Sequence, residues 1–243
     1  MKKISFLLAV FCLASTTVFG QMNHKKLFDA YLTGDLTAWG TALKAVEKES
    51  NPTQQTLLDA ANYTYGYIAW LIEKNDKTEA QHQMKRLEEI VCQLQKQHYA
   101  DSCIFYVYRS SIAAYEVKLG TGKMATNGLK AIKYCNHAVE MNPTNPMALS
   151  LKGNVDFYRP AIFGGNKKEA LSSFKKSAYE FEKQHKTTNS WNYIASLMTM
   201  AQAYDKLGNT DEAIKICEKI LKIAPNFLYV KNTLLPSLQK KKK

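Results

Sequence analysis

Residues 194–225 read IASLMTMAQAYDKLGNTDEAIKICEKILKIAP. Ile194, Leu197, Met198, Ala201, Tyr204 and Leu207 recur at steps of three and four, which places them on one helical face. Gly208 can take the left-handed conformation that stops a helix. Asn209 or Thr210 can cap the next one, and Asp211 and Glu212 suit its positive end. A second face follows in Ala213, Ile214, Cys217, Ile220 and Leu221, and Pro225 ends it. The stretch predicts a hairpin of two amphipathic helices.

The same design recurs toward the N-terminus. Residues 167–181 carry Ala170, Leu171, Phe174, Ala178 and Phe181 at helical spacing, with Asn166 and Glu169 set as a capping box. Residues 129–141 carry Leu129, Ile132, Cys135, Ala138 and Val139, followed by Pro143. Residues 79–94 carry Ala80, Met84, Leu87, Val91 and Leu94 behind Asp76, and residues 24–48 form a pair split at Gly34-Asp35. Ala80, Ala131, Ala170 and Ala213, which open the second helices, are 51, 39 and 43 residues apart. A period near 40 with two helices per unit is the mark of stacked hairpins. No sustained alternation of apolar and polar residues competes as a strand signal. A further helix near 226–238, with Phe227, Val230 and Leu234 on one face, is expected to cover the apolar end of the stack.

Residues 194–225 resemble a tetratricopeptide repeat (TPR) through Leu197, Met200-Ala201, Tyr204, Leu207-Gly208, Ala213, Cys217, Ile220 and Pro225. Ala131, Cys135, Ala138 and Pro143 match a half-repeat, and Gly153, Gly165, Ala170 and Phe174 match the unit at 146–182. Ala201 stands where Gly is usual and Ile220 where Ala is usual. The resemblance implies an all-α, right-handed solenoid of about five helical hairpins. It also implies an adaptor or scaffold that binds a protein or peptide in its concave groove, without catalysis and without a cofactor. By register with the first helices, Tyr65, Ser110, Asn154, Met198, Gln202 and Asp205 are the groove candidates. The connection Arg159-Pro160-Ala161-Ile162-Phe163-Gly164-Gly165 is long for this family. It is similar to one in TPR proteins that accompany periplasmic solute transporters. This supplies the alternative of an accessory subunit that binds a small ligand and docks on a membrane transporter. Tyr158, Ile162 and Phe163 are expected to pack on a neighbouring hairpin, or else to form a ridge that contacts a partner.

Composition sets outer bounds. The chain has 243 residues, 46% hydrophobic and 22% charged, with only 11 Gly and 6 Pro, which suits a helix-rich globular protein with a full core. Residues 1–20, MKKISFLLAVFCLASTTVFG, pair Lys2 and Lys3 with an apolar run far shorter than the ~20 residues of a membrane span. Val18 and Gly20 fit a cleavage site, so export to the periplasm or beyond is expected, with a mature start at Gln21. The repeat domain then covers 21–239, and 240–243 is expected to be a disordered basic tail. The net charge of +12 permits contact with an anionic envelope surface, while no basic stripe interleaved with aromatics points to nucleic acid.

Candidate chemistry is sparse. The histidines fall in different hairpins, and phosphate loops, His-Glu-x-x-His and Gly-x-Ser-x-Gly motifs are missing. Cys92, His98, Asp101 and Cys103 form the one ligand-type cluster, and their spacing matches no zinc pattern. A Cys92–Cys103 disulfide across the helix turn is expected instead, with Cys135 and Cys217 reduced. Aromatics are abundant: 14 Tyr, 10 Phe and 3 Trp, most of them expected in the core and some on the inner groove.

Overall fold

The computed structural model describes residues 23–120 and 122–242. The signal-peptide reading and the Gln21 start lie outside these residues. Five helical hairpins follow one another: α1 (residues 23–33) with α2 (Leu36–Glu47), α3 (Gln54–Glu73) with α4 (Lys77–Lys96), α5 (Cys103–Leu119) with α6 (Met124–Met141), α7 (Pro146–Tyr158) with α8 (Lys167–Lys183), and α9 (Trp191–Lys206) with α10 (Thr210–Ile223). No strand occurs among the described residues. The two arms of each hairpin pack on each other, and each hairpin packs on the next.

Local chemistry sets the breaks. Asp35, Thr53, Asp76, Asn145, Asn166 and Ser190 each accept a hydrogen bond from a backbone N–H of the first turn that they open. Gly34, Gly120 and Gly208 take the left-handed turn, with φ of +73°, +73° and +80°. Small residues let the arms approach. A side chain on Gly66 would meet the Trp39 ring at 2.4 Å, and one on Gly153 would meet the Phe174 ring at 2.5 Å. Ala131, Ala170, Ala201 and Ala213 are buried at the equivalent crossings. Leu129 departs from its expected face. The buried stripe of α6 runs through Asn127, Ala131, Cys135 and Ala138, and Leu129, two residues before Ala131, points outward at 70% exposure.

The chain ends in one helix over residues 228–242. A π-turn, Val230–Leu234, leads into α11, Leu235–Lys242. Pro236 has no N–H for the carbonyl four residues back, and the wider turn accommodates it. Phe227, Val230, Leu234 and Leu238 are buried against the stack, so this helix is the end cap the pattern predicts. Of the tail read as disordered, Lys240 to Lys242 continue α11. Lys240 to Lys242 stand at its negative end, Lys241 pairs with Asp205 at 2.6 Å, and Lys242 pairs with Asp211 at 2.6 Å.

The expected Cys92–Cys103 bridge is not formed; Cys92, Cys103, Cys135 and Cys217 are free thiols. Cys92 lies more than a turn before the end of α4 and faces Glu88 and Arg109, whereas Cys103 is buried at the start of α5. Burial pushes the Cys103, Cys135 and Cys217 thiols up to about 12, and Cys92 is the one of the four that is only half-buried. Native-state alkylation followed by peptide mapping is therefore expected to label Cys92 first, with the other three labelled only on unfolding. Recovery of a cross-linked 92–103 peptide would contradict this arrangement.

Candidate functional site on the inner face

The first helices of hairpins two to five (α3, α5, α7 and α9) pack on one another in succession and form the inner wall. What fills that wall is aromatic. Trp191 opens α9 behind the Ser190 cap, which fixes its position. Its indole N–H donates to Asn62 Oδ1 on α3 at 2.6 Å, across 129 residues of chain. Its ring lies 5.2 Å from Trp39, 5.6 Å from Tyr31 and 5.7 Å from Tyr65, centroid to centroid. Tyr31 in turn lies 5.2 Å from Phe227. The first hairpin therefore meets the last one across the inside, and the solenoid closes on a plug of rings.

Beside the plug gathers a second set of tyrosines, the basin, exposed only at its rim. Tyr65 stacks on Tyr115 at 5.9 Å, and the Tyr115 hydroxyl donates to the Tyr65 carbonyl at 3.2 Å. Tyr158, at the end of α7, and Tyr229, before the π-turn, rise at the rim with 66% and 42% exposure. Gln202 on α9 donates to the Tyr229 hydroxyl at 3.4 Å. The hydroxyls of Tyr31, Tyr65, Tyr158 and Tyr229 stand near enough that ionising one would disfavour another, and Glu73 acts on Tyr158 in the same sense. Burial is the larger cause and raises the Tyr31, Tyr65 and Tyr115 hydroxyls above their ordinary value. The basin thus offers neutral hydroxyls and ring faces, suited to apolar or aromatic groups with a hydrogen-bond acceptor.

Of the groove candidates read from the sequence, Tyr65 lies among the rings beside Trp191, whereas Ser110 does not face the groove. Ser110 is fully buried and donates to the Ala131 carbonyl at 2.7 Å, so it ties α5 to α6 instead of lining the groove. Met198 packs on the core from α9, and Asn154 is half-buried on α7. Asp205 is occupied by Lys241, and Gln202 by Tyr229, because the C-terminal helix lies over that part of α9. Tyr31, Trp191, Tyr229 and Tyr158 are the inner-face residues that the helical register does not reveal. The aromatic count was the signal present. Asp101, from the Cys/His cluster, accepts from the side-chain amides of Asn142 and Asn145 at 3.4 and 2.9 Å. Among the described residues no three His, Cys, Asp or Glu side chains gather as a metal site would require.

The arrangement defines an α-solenoid of helical hairpins whose inner wall is built for contact. Residues 194–227 match the tetratricopeptide repeat family, and two solved structures share the fold. One is the HusA haemophore from Porphyromonas gingivalis, 17% identical, covering 77% of this chain and 94% of its own, with a TM-score of 0.61. The other is a thermophilic TPR protein from Thermus thermophilus, 16% identical, covering 92% of this chain and 96% of its own, with a TM-score of 0.52. No curated protein matches the chain. The family match is confined to residues 194–227, and the rest of the chain shares with these two structures the TPR-like helical-repeat fold.

Proposed function

We propose that this protein is an exported scaffold that holds its partner at the aromatic basin of the inner face. The open Tyr158–Tyr229 rim over Tyr31 and Tyr65 is the observation that carries the reading. The plug centred on Trp191 fills the rest of the concavity, so the partner presents one apolar or aromatic element to the basin and does not thread the whole groove. Export rests on residues 1–20, whose composition is that of a cleaved leader. The test is cross-linking and affinity capture from the cell envelope with wild type, Tyr158→Ala and Tyr229→Ala. Tyr158 is 66% and Tyr229 42% exposed, so melting should change less than for a core residue, while capture of the same partner should fall about tenfold or more. Equal capture by all three would sink the basin.

A second reading makes the basin a seat for a small flat ligand, with the protein acting as an accessory to envelope transport. Its support is the cluster of tyrosine rings and hydroxyls, together with the fold shared with a haemophore. Haemin is the probe. Titration should quench Trp191 and Trp70 fluorescence and perturb the porphyrin absorption band in the wild type, with both effects weakened in Tyr158→Ala. No spectral change would leave the protein-partner reading alone.

A further inference from the structure

We propose that the α7–α8 connection and the N-terminal half of α6 form a docking surface for an anionic lipid bilayer, separate from the basin. Ile162 and Phe163 stand at 86% and 68% exposure on a 3₁₀ turn, Ala161–Phe163, and pack on no neighbouring hairpin. The turn is rigid. Phe163 N–H and Gly165 N–H both donate to the Pro160 carbonyl at 3.0 and 3.1 Å, and Gly164 N–H donates to that of Ala161 at 2.8 Å. Gly164 takes φ +85°, and a side chain on Gly165 would strike the Arg159 carbonyl. The Arg159 guanidinium donates to the Gly164 carbonyl at 2.7 Å and to Asp156 Oδ1 at 3.0 Å. The fold thus invests a network of fixed hydrogen bonds in holding two large apolar side chains out in water.

α6 packs against α7 and runs back along it, with Cys135 near Asp156 and Arg159. Since α6 and α7 run antiparallel, the start of α6 points toward the same end of the stack as the end of α7 and the turn that follows. There Met124 and Leu129 add exposed apolar groups at 54% and 70%. The charge around them is mostly positive, with Glu169 in the first turn of α8 as the exception. Residues 117–139 contain Lys118, Lys123, Lys130 and Lys133, all exposed, and no Asp or Glu. α8 opens with Lys167 and Lys168 ahead of Glu169; Lys168 is exposed, and the Lys167 ammonium donates to the Phe157 carbonyl. Apolar tips among exposed lysines match the interface of an anionic bilayer, which takes up the tips between headgroups and attracts the cations. The shape favours lipid over an acidic protein. Ile162 and Phe163 project from a convex turn, which a deformable bilayer can envelop and a preformed surface meets only with a matching pocket. No described helix is long and apolar enough to cross a membrane, so the contact is peripheral.

The experiment is vesicle flotation of the purified protein on phosphatidylglycerol/phosphatidylcholine and on pure phosphatidylcholine, at low and high salt. Wild type should partition onto the anionic vesicles at least about tenfold better than onto neutral ones, and salt should weaken this. Ile162→Ser with Phe163→Ser should lower partition onto anionic vesicles about tenfold or more, with unchanged melting because both side chains are exposed. Lys123→Glu with Lys130→Glu should do the same by charge. No partition, equal partition on both lipids, or an unaffected Ile162/Phe163 variant would overturn the proposal. Binding of soluble poly-glutamate that depends on Ile162 and Phe163, with no flotation, would place an acidic protein there and also overturn it. Tyr158→Ala serves as the control, since loss of basin binding with intact flotation separates the two surfaces.

Discussion

A Trp191→Ala chain is expected to lose about 3–5 kcal/mol of stability, the range for removing a buried Trp side chain. The loss has two sources. The indole packs edge-on against Trp39 and tilts against Tyr31 and Tyr65, so its removal opens a cavity where three rings meet. Its N–H also satisfies Asn62 at 2.6 Å, and the orphaned amide oxygen adds to the cost. Trp191→Phe keeps most of the ring contact and loses the hydrogen bond, and should cost about 1–2 kcal/mol. Urea unfolding of the three chains should rank them in that order. The location matters as much as the size. Trp191 joins α9 to the first and second hairpins, so hydrogen exchange in α1 and α2 should accelerate in Trp191→Ala even where global unfolding is rare. If both variants unfolded within about 0.5 kcal/mol of wild type, the closure of the solenoid would be a passive contact.

Trp191 also marks where sequence reading stops. The hairpins were legible because their determinants are local: three-four spacing, caps such as Asp76 and Asn166, and Gly208 at a left-handed turn. The end cap was legible for the same reason, through Phe227, Val230 and Leu234. The closure was not, because it joins α9 to α3 and to the first hairpin, and no local stretch of sequence encodes that meeting. Ser110 failed for a subtler cause. Register with the other first helices sets it on the groove side, but a small residue there lets α5 approach α6, and its hydroxyl then finds the Ala131 carbonyl. Gly66 shows the converse. No spacing rule singles it out, yet the Trp39 ring occupies the space its side chain would need. The Ile162–Phe163 turn was expected to pack because apolar residues usually do. Its exposure follows from Asp156 and Arg159, an ion pair within one turn of α7 whose partners in the loop no spacing rule predicts.

That ion pair yields the other large effect. Asp156 is buried, its side chain 3% exposed, and it accepts from Lys152 at 2.6 Å and from Arg159 at 3.0 Å. One carboxylate thus balances two cations, each less than a third exposed. Asp156→Ala leaves both uncompensated, and removing one partner of a buried pair costs about 3–5 kcal/mol. Asp156→Asn keeps one acceptor oxygen and the shape but not the charge, and should fall between wild type and Asp156→Ala. Lys152→Met removes a cation that Asp156 can spare, since Arg159 remains, and its aliphatic replacement still covers the helix; it should cost least. The order Lys152→Met, Asp156→Asn, Asp156→Ala in denaturant midpoint is the expected result, with the slope unchanged. A second readout follows from the same bonds. Arg159 reaches the Gly164 carbonyl only while Asp156 holds it, so limited proteolysis should cut the 160–165 turn faster in Asp156→Ala than in a Gly153→Ala chain of comparable stability. Were the two chains cut at the same rate, the turn would owe its shape to Pro160, Gly164 and Gly165 alone, and the carboxylate would serve α7 only.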